Sequence, residues 1–193
     1  MQTFNVEVRG TTPLLQHRFS EAAEGDGAKA TRGVLVNRGT PREQAEQVAY
    51  RMPDGKTLYI PGGAFMRLLR EAGGAHKMKG SRKSAKYIVP AAVLVLDDVI
   101  SLRDENGAKS EAFEVDSRPV RIPTTGGVIM RHRPRLDRWA AHFTIRVNET
   151  LLPPAFVHQL LTEGGVGIGV GDFRPEKGGP FGTFQVVRWD PVK

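Results

Sequence analysis

Phe4, Val6 and Val8 alternate with Asn5, Glu7 and Arg9, the period-2 signature of a strand with one buried face. Ala141, Phe143, Ile145 and Val147 alternate in the same way with His142, Thr144 and Arg146, which gives a second such strand with a polar, basic outer face. Helical spacing is clearest in PGGAFMRLLREAGG, where Phe65, Leu68, Leu69 and Ala72 fall at i, i+3, i+4 and i+7 before Gly73 and Gly74 end the helix. A shorter helix spans Pro154 to Glu163, with Phe156, Val157, Leu160 and Leu161 on one side and a stop at Gly164-Gly165. Thr40, Pro41 and Glu43 occupy the N-cap, N1 and N3 positions of a third helix, which runs to about Arg51 and stops before Pro53, since a residue preceding proline avoids the helical region. Tyr87 to Leu96 is apolar throughout and reads as a long strand, with Pro90 placing it at an edge or a bulge. Pro119 to Pro123 and Val128 to Met130 read as a hairpin around Thr124-Thr125-Gly126-Gly127, and Phe184 and Val186 begin a closing strand.

The order strand, helix, strands, strand, helix, strand predicts an α+β fold. The specific expectation is a ferredoxin-like, RRM-like βαββαβ core, an antiparallel sheet with helices on one face and inserted loops. With 193 residues, a single domain over 1–193 is expected, with insertions at about 20–39 and 74–86. The first insertion, Ser20 to Gly39, is mostly small and charged and shows no period.

Composition narrows the chemistry. The absence of cysteine excludes disulfides, thiolate zinc sites, iron–sulfur clusters and cysteine nucleophiles. The longest apolar run, Ile88 to Leu96, has nine residues, far short of the ~20 that span a bilayer, and MQTFNVEVRG lacks the basic start and apolar block of a signal peptide. A cytoplasmic protein without membrane contact is expected. The net charge is +7, and it is unevenly placed. Arg67, Arg70, Lys77, Lys79, Arg82, Lys83 and Lys86 face one acid, Glu71, and Arg118, Arg121, Arg131, Arg133, Arg135, Arg138 and Arg146 face Asp137. Two windows of nearly one sign point to a polyanionic partner, and the expectation is that they form one groove.

The segment Gly164 to Gly182 has eight glycines in nineteen residues. It fails the G-x-G-x-x-G pattern at Val170, no GK[ST] follows, and it comes after a helix where nucleotide cradles precede one. Glycine there lets backbone approach another backbone or a phosphate chain closely. Phe173 and Phe181 flank Arg174 and Lys177, pairing apolar anchors with phosphate partners; the alternative is a packed loop with both Phe side chains in the core.

GVGIGVGDFRPEKGGPFGTF, set between the second core helix and the last strand, resembles the C-terminal signature of the RAMP proteins, the RRM-like family of CRISPR effector subunits, and in particular the Cas7-like backbone subunits. TPLLQHRF and RPVRIPTTGGVIMRHRPRLDRWAAHF support the resemblance, and similar short chains occur in phages and mobile elements. The resemblance implies a core that binds single-stranded nucleic acid through its backbone, with copies stacking along the strand beside other effector subunits. It places the family's features on Gly167, Gly169 and Gly171, on the 77–86 loop, and on the strip Arg131, Arg133 and Arg135. Arg67, Arg70, Lys77, Lys79, Arg82, Lys83, Lys86, Arg174 and Lys177 join these as phosphate contacts, and Phe173 or Phe181 stacks on bases. RNA is the first choice and single-stranded DNA the second, because no residue pattern reads a 2′-OH.

The resemblance also brings in metal-independent endoribonucleases with a histidine base. Among His17, His76, His132, His142 and His158, the candidates are His132, between Arg131 and Arg133, and His17, beside Arg18; a catalytic histidine needs such cations to stabilise an anionic transition state. Asp26 is the candidate for the loop aspartate with which some backbone subunits cleave RNA. Asp97 and Asp98, being adjacent, point to opposite faces of a strand and make a poor metal pair. Asp172 is expected to order the glycine loop through local backbone hydrogen bonds. The reading is a non-enzymatic binder with no metal and no cofactor. The alternatives are a single-stranded DNA-binding protein of a phage or mobile element, a Cas6-like endoribonuclease and a protein-only phage component.

Overall fold

The structure is a computed structural model that describes residues 1–19, 39–78, 80, 82–121 and 126–192. Asp26 and Lys79 lie outside the described residues, as does most of the 20–39 insertion. The chain opens with β1 (Gln2–Gly10) and β2 (Leu14–Leu15), then α1 (Pro41–Gln47), β3 (Tyr59–Pro61) and α2 (Gly62–Ala72). It continues through α3 (Val89–Ala92), β4 (Val93–Val95), β5 (Val99–Arg103), β6 (Glu114–Arg121), β7 (Val128–Leu136), β8 (Ala140–Val147), α4 (Pro154–Gly167) and β9 (Phe184–Pro191).

The main sheet runs β3-β5-β8-β1-β9, with β4 also paired to β8, and every pairing is antiparallel. Taking β4 and β5 together as one position, β1-α2-β4/5-β8-α4-β9 is the expected βαββαβ unit, with β1 and β8 at the centre. The reason lies in the period-2 pattern. Phe4, Val6 and Val8 of β1 and Phe143, Ile145 and Val147 of β8 are buried on one face, while Asn5, His142 and Arg146 are exposed on the other. Phe65, Leu68 and Leu69 of α2 and Val157, Leu160 and Leu161 of α4 cover the apolar face. At the centre Phe65 stacks on Phe143 at 4.3 Å and meets Phe184 edge-on at 5.8 Å; burying one such ring contributes roughly 1.5–3 kcal/mol.

Three expectations change. The apolar run 87–96 is not one strand: a 3₁₀ turn (Ala85–Tyr87) and α3 precede β4. Pro90 sits in the first turn of α3, where its missing N–H costs nothing. The capping box on Thr40 and Glu43 forms as expected, but α1 ends at Gln47 and not near Arg51. Most consequentially, α4 does not stop at Gly164-Gly165 but continues to Gly167. A Cβ on Gly164 would lie 2.4 Å from Leu68 Cδ2, and one on Gly165 2.6 Å from the Phe184 carbonyl oxygen. Close packing of α4 on α2 and β9 thus outweighs the helix-propensity cost of glycine, about 1 kcal/mol each.

The expected hairpin is present and longer than its apolar residues suggest. β6 and β7 pair over eight residues, and β2 adds to β7 as Leu14↔Leu136 and Leu15↔Arg135, making a second sheet β2-β7-β6. Through β2 the ribbon is rooted directly after the first core strand.

Candidate nucleic-acid interface

The register of the β6–β7 ribbon sorts its cations. Asp116 faces Arg133, Arg118 faces Arg131, and Ser117 faces His132, so Arg118, Arg131 and Arg133 share one face and His132 lies on the other. His132 Nδ1 is 2.7 Å from Ser117 Oγ, a strand contact away from the arginines. On the basic face, Arg118 Nε donates to both oxygens of Asp116 at 2.9 and 2.8 Å and its guanidinium lies 4.6 Å from the centre of the Phe181 ring. Arg133 is 7% exposed, with Nε 2.8 Å from Asp172 Oδ2 but out of line for a hydrogen bond. Among the described residues, no carboxylate lies within ion-pair distance of Arg131.

This face docks on the glycine loop, which is tied down by the chain itself. The amide of Asp172 donates to the Leu15 carbonyl, that of Gly182 to Pro13, and that of Val170 to Gly182, all at 2.8–2.9 Å. Gly171 (φ +77°) brings its α-carbon so close to β2 that a Cβ would sit 2.4 Å from the Leu15 oxygen; at Gly182 (φ +71°) the clash would be 1.8 Å from the Val170 oxygen. The close approaches are made to the chain's own backbone. Gly169 packs against Pro175, and Gly167 lies in the last turn of α4 with open space around it. Asp172 does not order the loop through the local backbone hydrogen bonds expected: its carboxylate pairs with Arg133 and its amide bonds the β2 backbone, across a long stretch of sequence. Phe181 is buried with Arg118 over its ring, so it is not presented to a base, whereas Phe173 is only partly buried.

Between β2, the start of α2 and this loop lies a cleft of about 380 Å³ whose lining includes Gln16, His17, Tyr50, Arg67, Asp172 and Arg174. Gln16 bridges two segments, donating to the Tyr59 carbonyl and accepting from the Tyr50 amide, both at 2.9 Å. His17 Nδ1 is buried without a hydrogen-bond partner. Burial pulls the His17 pKa below its ordinary value, and Arg131 and Arg133 add to this while Asp172 opposes it. Arg67 and Arg174 converge on one carboxylate, Glu176, with Arg174 Nη2 at 2.7 Å. Burial works against ionisation of Glu176, but the two guanidiniums outweigh it and its pKa lies below the ordinary value. Burial raises the Tyr50 hydroxyl above its usual range, keeping it a donor.

The sequence itself matches no family model and no curated protein. Structure makes the link. A chain of type III-B Cmr-beta bound to cognate target RNA superposes on all of this chain with a TM-score of 0.59, at 10% identity, and this chain spans 61% of that one. The chain shares the fold of that Cmr-beta chain. A chain of a type IV-B CRISPR complex is similar at TM-score 0.48 and 13% identity, covering 98% of this chain and 90% of its own length. Cmr6 from Pyrococcus furiosus is similar at 0.42 and 10%, covering 95% and 96%.

Within this fold the described residues of the two basic windows do not form one groove. The 77–86 loop follows the C-terminal end of α2, where Met78 donates to the Lys83 carbonyl and Lys77 bridges to Ser84, while the cleft and ribbon lie at its N-terminal end. Eleven residues at the helical rise separate them by roughly 16 Å. Near the 77–86 loop, Lys86 and Arg70 both bond Glu71 at 2.8 Å, and His76 pairs with Glu163 at 2.6 Å. Lys77 and Arg82 are exposed, as is Lys177 within the glycine-rich segment. Arg135 turns to Asp137 at 2.6 Å, Arg138 to Glu105, and Arg146 to the open face of the main sheet. His142 lies 3.4 Å from Glu7, and His158 packs edge-on to Trp189. Among the described residues no cluster of three metal-ligating side chains occurs, and no helix is long and apolar enough to cross a membrane. Sequence reasoning missed Gln16 and Tyr50. Gln16 stands next to His17 in the string TPLLQHRF, which offered a signal; Tyr50 offered none.

Proposed function

We propose that the chain is a Cas7-like subunit that binds single-stranded nucleic acid through its backbone, RNA in the first place, and that copies stack along the strand beside other effector subunits. The observation that carries this reading is the placement of Arg131 directly across from Arg118 on the ribbon face. Like charges opposite one another across a sheet are destabilising, and a phosphate between them turns the repulsion into two charge-assisted hydrogen bonds. Arg133, buried against Asp172 and so not itself a phosphate contact, and the pinned glycine loop brace this face from behind. The fold supports the same reading, since a chain that shares it belongs to the type III-B Cmr-beta complex bound to cognate target RNA. The role is non-catalytic and uses no metal or cofactor.

Sizing the purified protein with labelled single-stranded RNA and DNA of several lengths tests this. Complexes should grow stepwise with strand length, and affinity should fall with salt by ~0.7 log units per phosphate neutralised for each tenfold rise in salt. A flat salt response, or no complex with either strand, sinks the reading; a clear preference for DNA moves the assignment to a single-stranded DNA-binding protein.

A further inference from the structure

The cleft beside the ribbon has chemistry of its own. Gln16 is satisfied at both ends of its amide and Asp172 is held by Arg133, so neither is free to recognise a ligand. The remaining polar groups are the Tyr50 hydroxyl, a buried His17 Nδ1 with no partner and two guanidiniums, Arg67 and Arg174, that share a single carboxylate. Two cations on one anion leave one positive charge uncompensated, at a place where the side chains of Arg67 and Arg174 are 28% and 13% exposed. An anion is therefore the natural occupant. The volume, about 380 Å³, lies at the small end of ligand pockets and suits one nucleotide but not a stacked run. The remaining wall, from Leu14, Tyr50, Ile60 and Pro61, is largely apolar and suits a sugar or a base.

We propose that this cleft binds one phosphorylated nucleotide, with the phosphate on Arg67, Arg174 and His17 and the sugar and base against Tyr50 and the Ile60–Pro61 wall. The inference rests on the nucleic-acid reading only where the nucleotide belongs to a strand; a strand terminus and a free nucleotide share this chemistry. Phosphate binding makes protonation of His17 favourable where burial and two arginines had opposed it, so occupancy takes up a proton.

Titration calorimetry of the full chain with adenosine monophosphate and with adenosine, at about pH 6 and about pH 8 where histidine titrates, reads this directly. The monophosphate binds and the nucleoside does not. Arg67→Gln weakens binding by about tenfold or more, the scale of one charge-assisted hydrogen bond. His17→Gln leaves a smaller difference between the two pH values than the parent shows. Arg174→Gln removes the 3.0 Å hydrogen bond from Arg174 Nη1 to the Gly171 carbonyl, so its thermal melt is recorded first, and Arg67→Gln decides the matter should it unfold. An RNA pentamer with a 5′-phosphate that binds about tenfold tighter than its 5′-hydroxyl twin assigns the strand end; equal binding of the twins, with competition by the monophosphate, assigns the free nucleotide. No binding of the monophosphate, or undiminished binding to folded Arg67→Gln, overturns the site. RNA binding that still depends on Arg118 and Arg131 would then leave the ribbon reading standing.

Discussion

Arg133 of the ribbon and Asp172 of the glycine loop form an ion pair at 2.8 Å, with the Arg133 side chain only 9% exposed. It joins two segments remote in sequence and fixes the angle at which the basic face meets the body. Arg133→Ala leaves Asp172 without its cation. Because Asp172 is one-third exposed, the cost should fall below that of a fully buried pair, at about 1–3 kcal/mol, read as a shift in the urea midpoint.

Arg118→Ala with Arg131→Ala tests the ribbon face. The double variant removes a like-charge pair but leaves the buried Asp116 without its cation, so its melting temperature should fall, while the affinity of the folded fraction for single-stranded RNA should drop by about 1–3 kcal/mol and its salt slope should flatten. Unchanged affinity in a folded double variant would exclude the ribbon face as the binding surface.

Gly171→Val tests what the glycine loop is for. With φ at +77° and the Leu15 oxygen 2.4 Å from the new Cβ, the substitution should destabilise by about 1–3 kcal/mol from backbone strain alone, with the clash in addition. Binding per folded molecule should stay near the parent's. Chemical unfolding followed by anisotropy on the folded fraction distinguishes this from a loop that touches ligand.

His132→Ala should be nearly silent, because the ring contacts Ser117 on the face away from the arginines. Loss of one exposed hydrogen bond is worth about 1 kcal/mol at most. The parent protein should not turn over single-stranded or hairpin RNA, with or without chelator. Cleavage that disappears on changing His17 or His132 would replace the non-catalytic assignment with a histidine nuclease.

The core order was legible because β1, β8 and α2 each bury a single face, so their alternation survives in the sequence as a clean period of 2 or 3.6. Residues 87–96 carry no such contrast: an apolar run with no charged residue inside it to mark a period reads the same as a strand or as a short helix followed by one. Gly164 and Gly165 look like a helix stop because glycine usually is one, and only the position of Leu68 and Phe184 against them shows why the helix goes on. Charge counts located the cations but not their grouping. Arg67 and Lys86 belong to one sequence window and sit near opposite ends of α2, while Arg67 and Arg174, over a hundred residues apart, share Glu176. The cleft was the least legible part, since Gln16, Tyr50 and Asp172 meet only because β2 and the glycine loop lie side by side.

The ties between the glycine loop and the strand after β1 bear on the thermodynamics of recognition. A glycine-rich segment free in solution would lose much conformational freedom on closing around a ligand, since each backbone residue ordered costs about 1–2 kcal/mol. Here that cost is already met during folding, by the amides of Val170, Asp172 and Gly182 and their carbonyl partners. The surface offered to a ligand is rigid in advance, so binding should proceed with little ordering penalty. Its temperature dependence should reflect ion release and the desolvation of arginines, with little contribution from a folding transition.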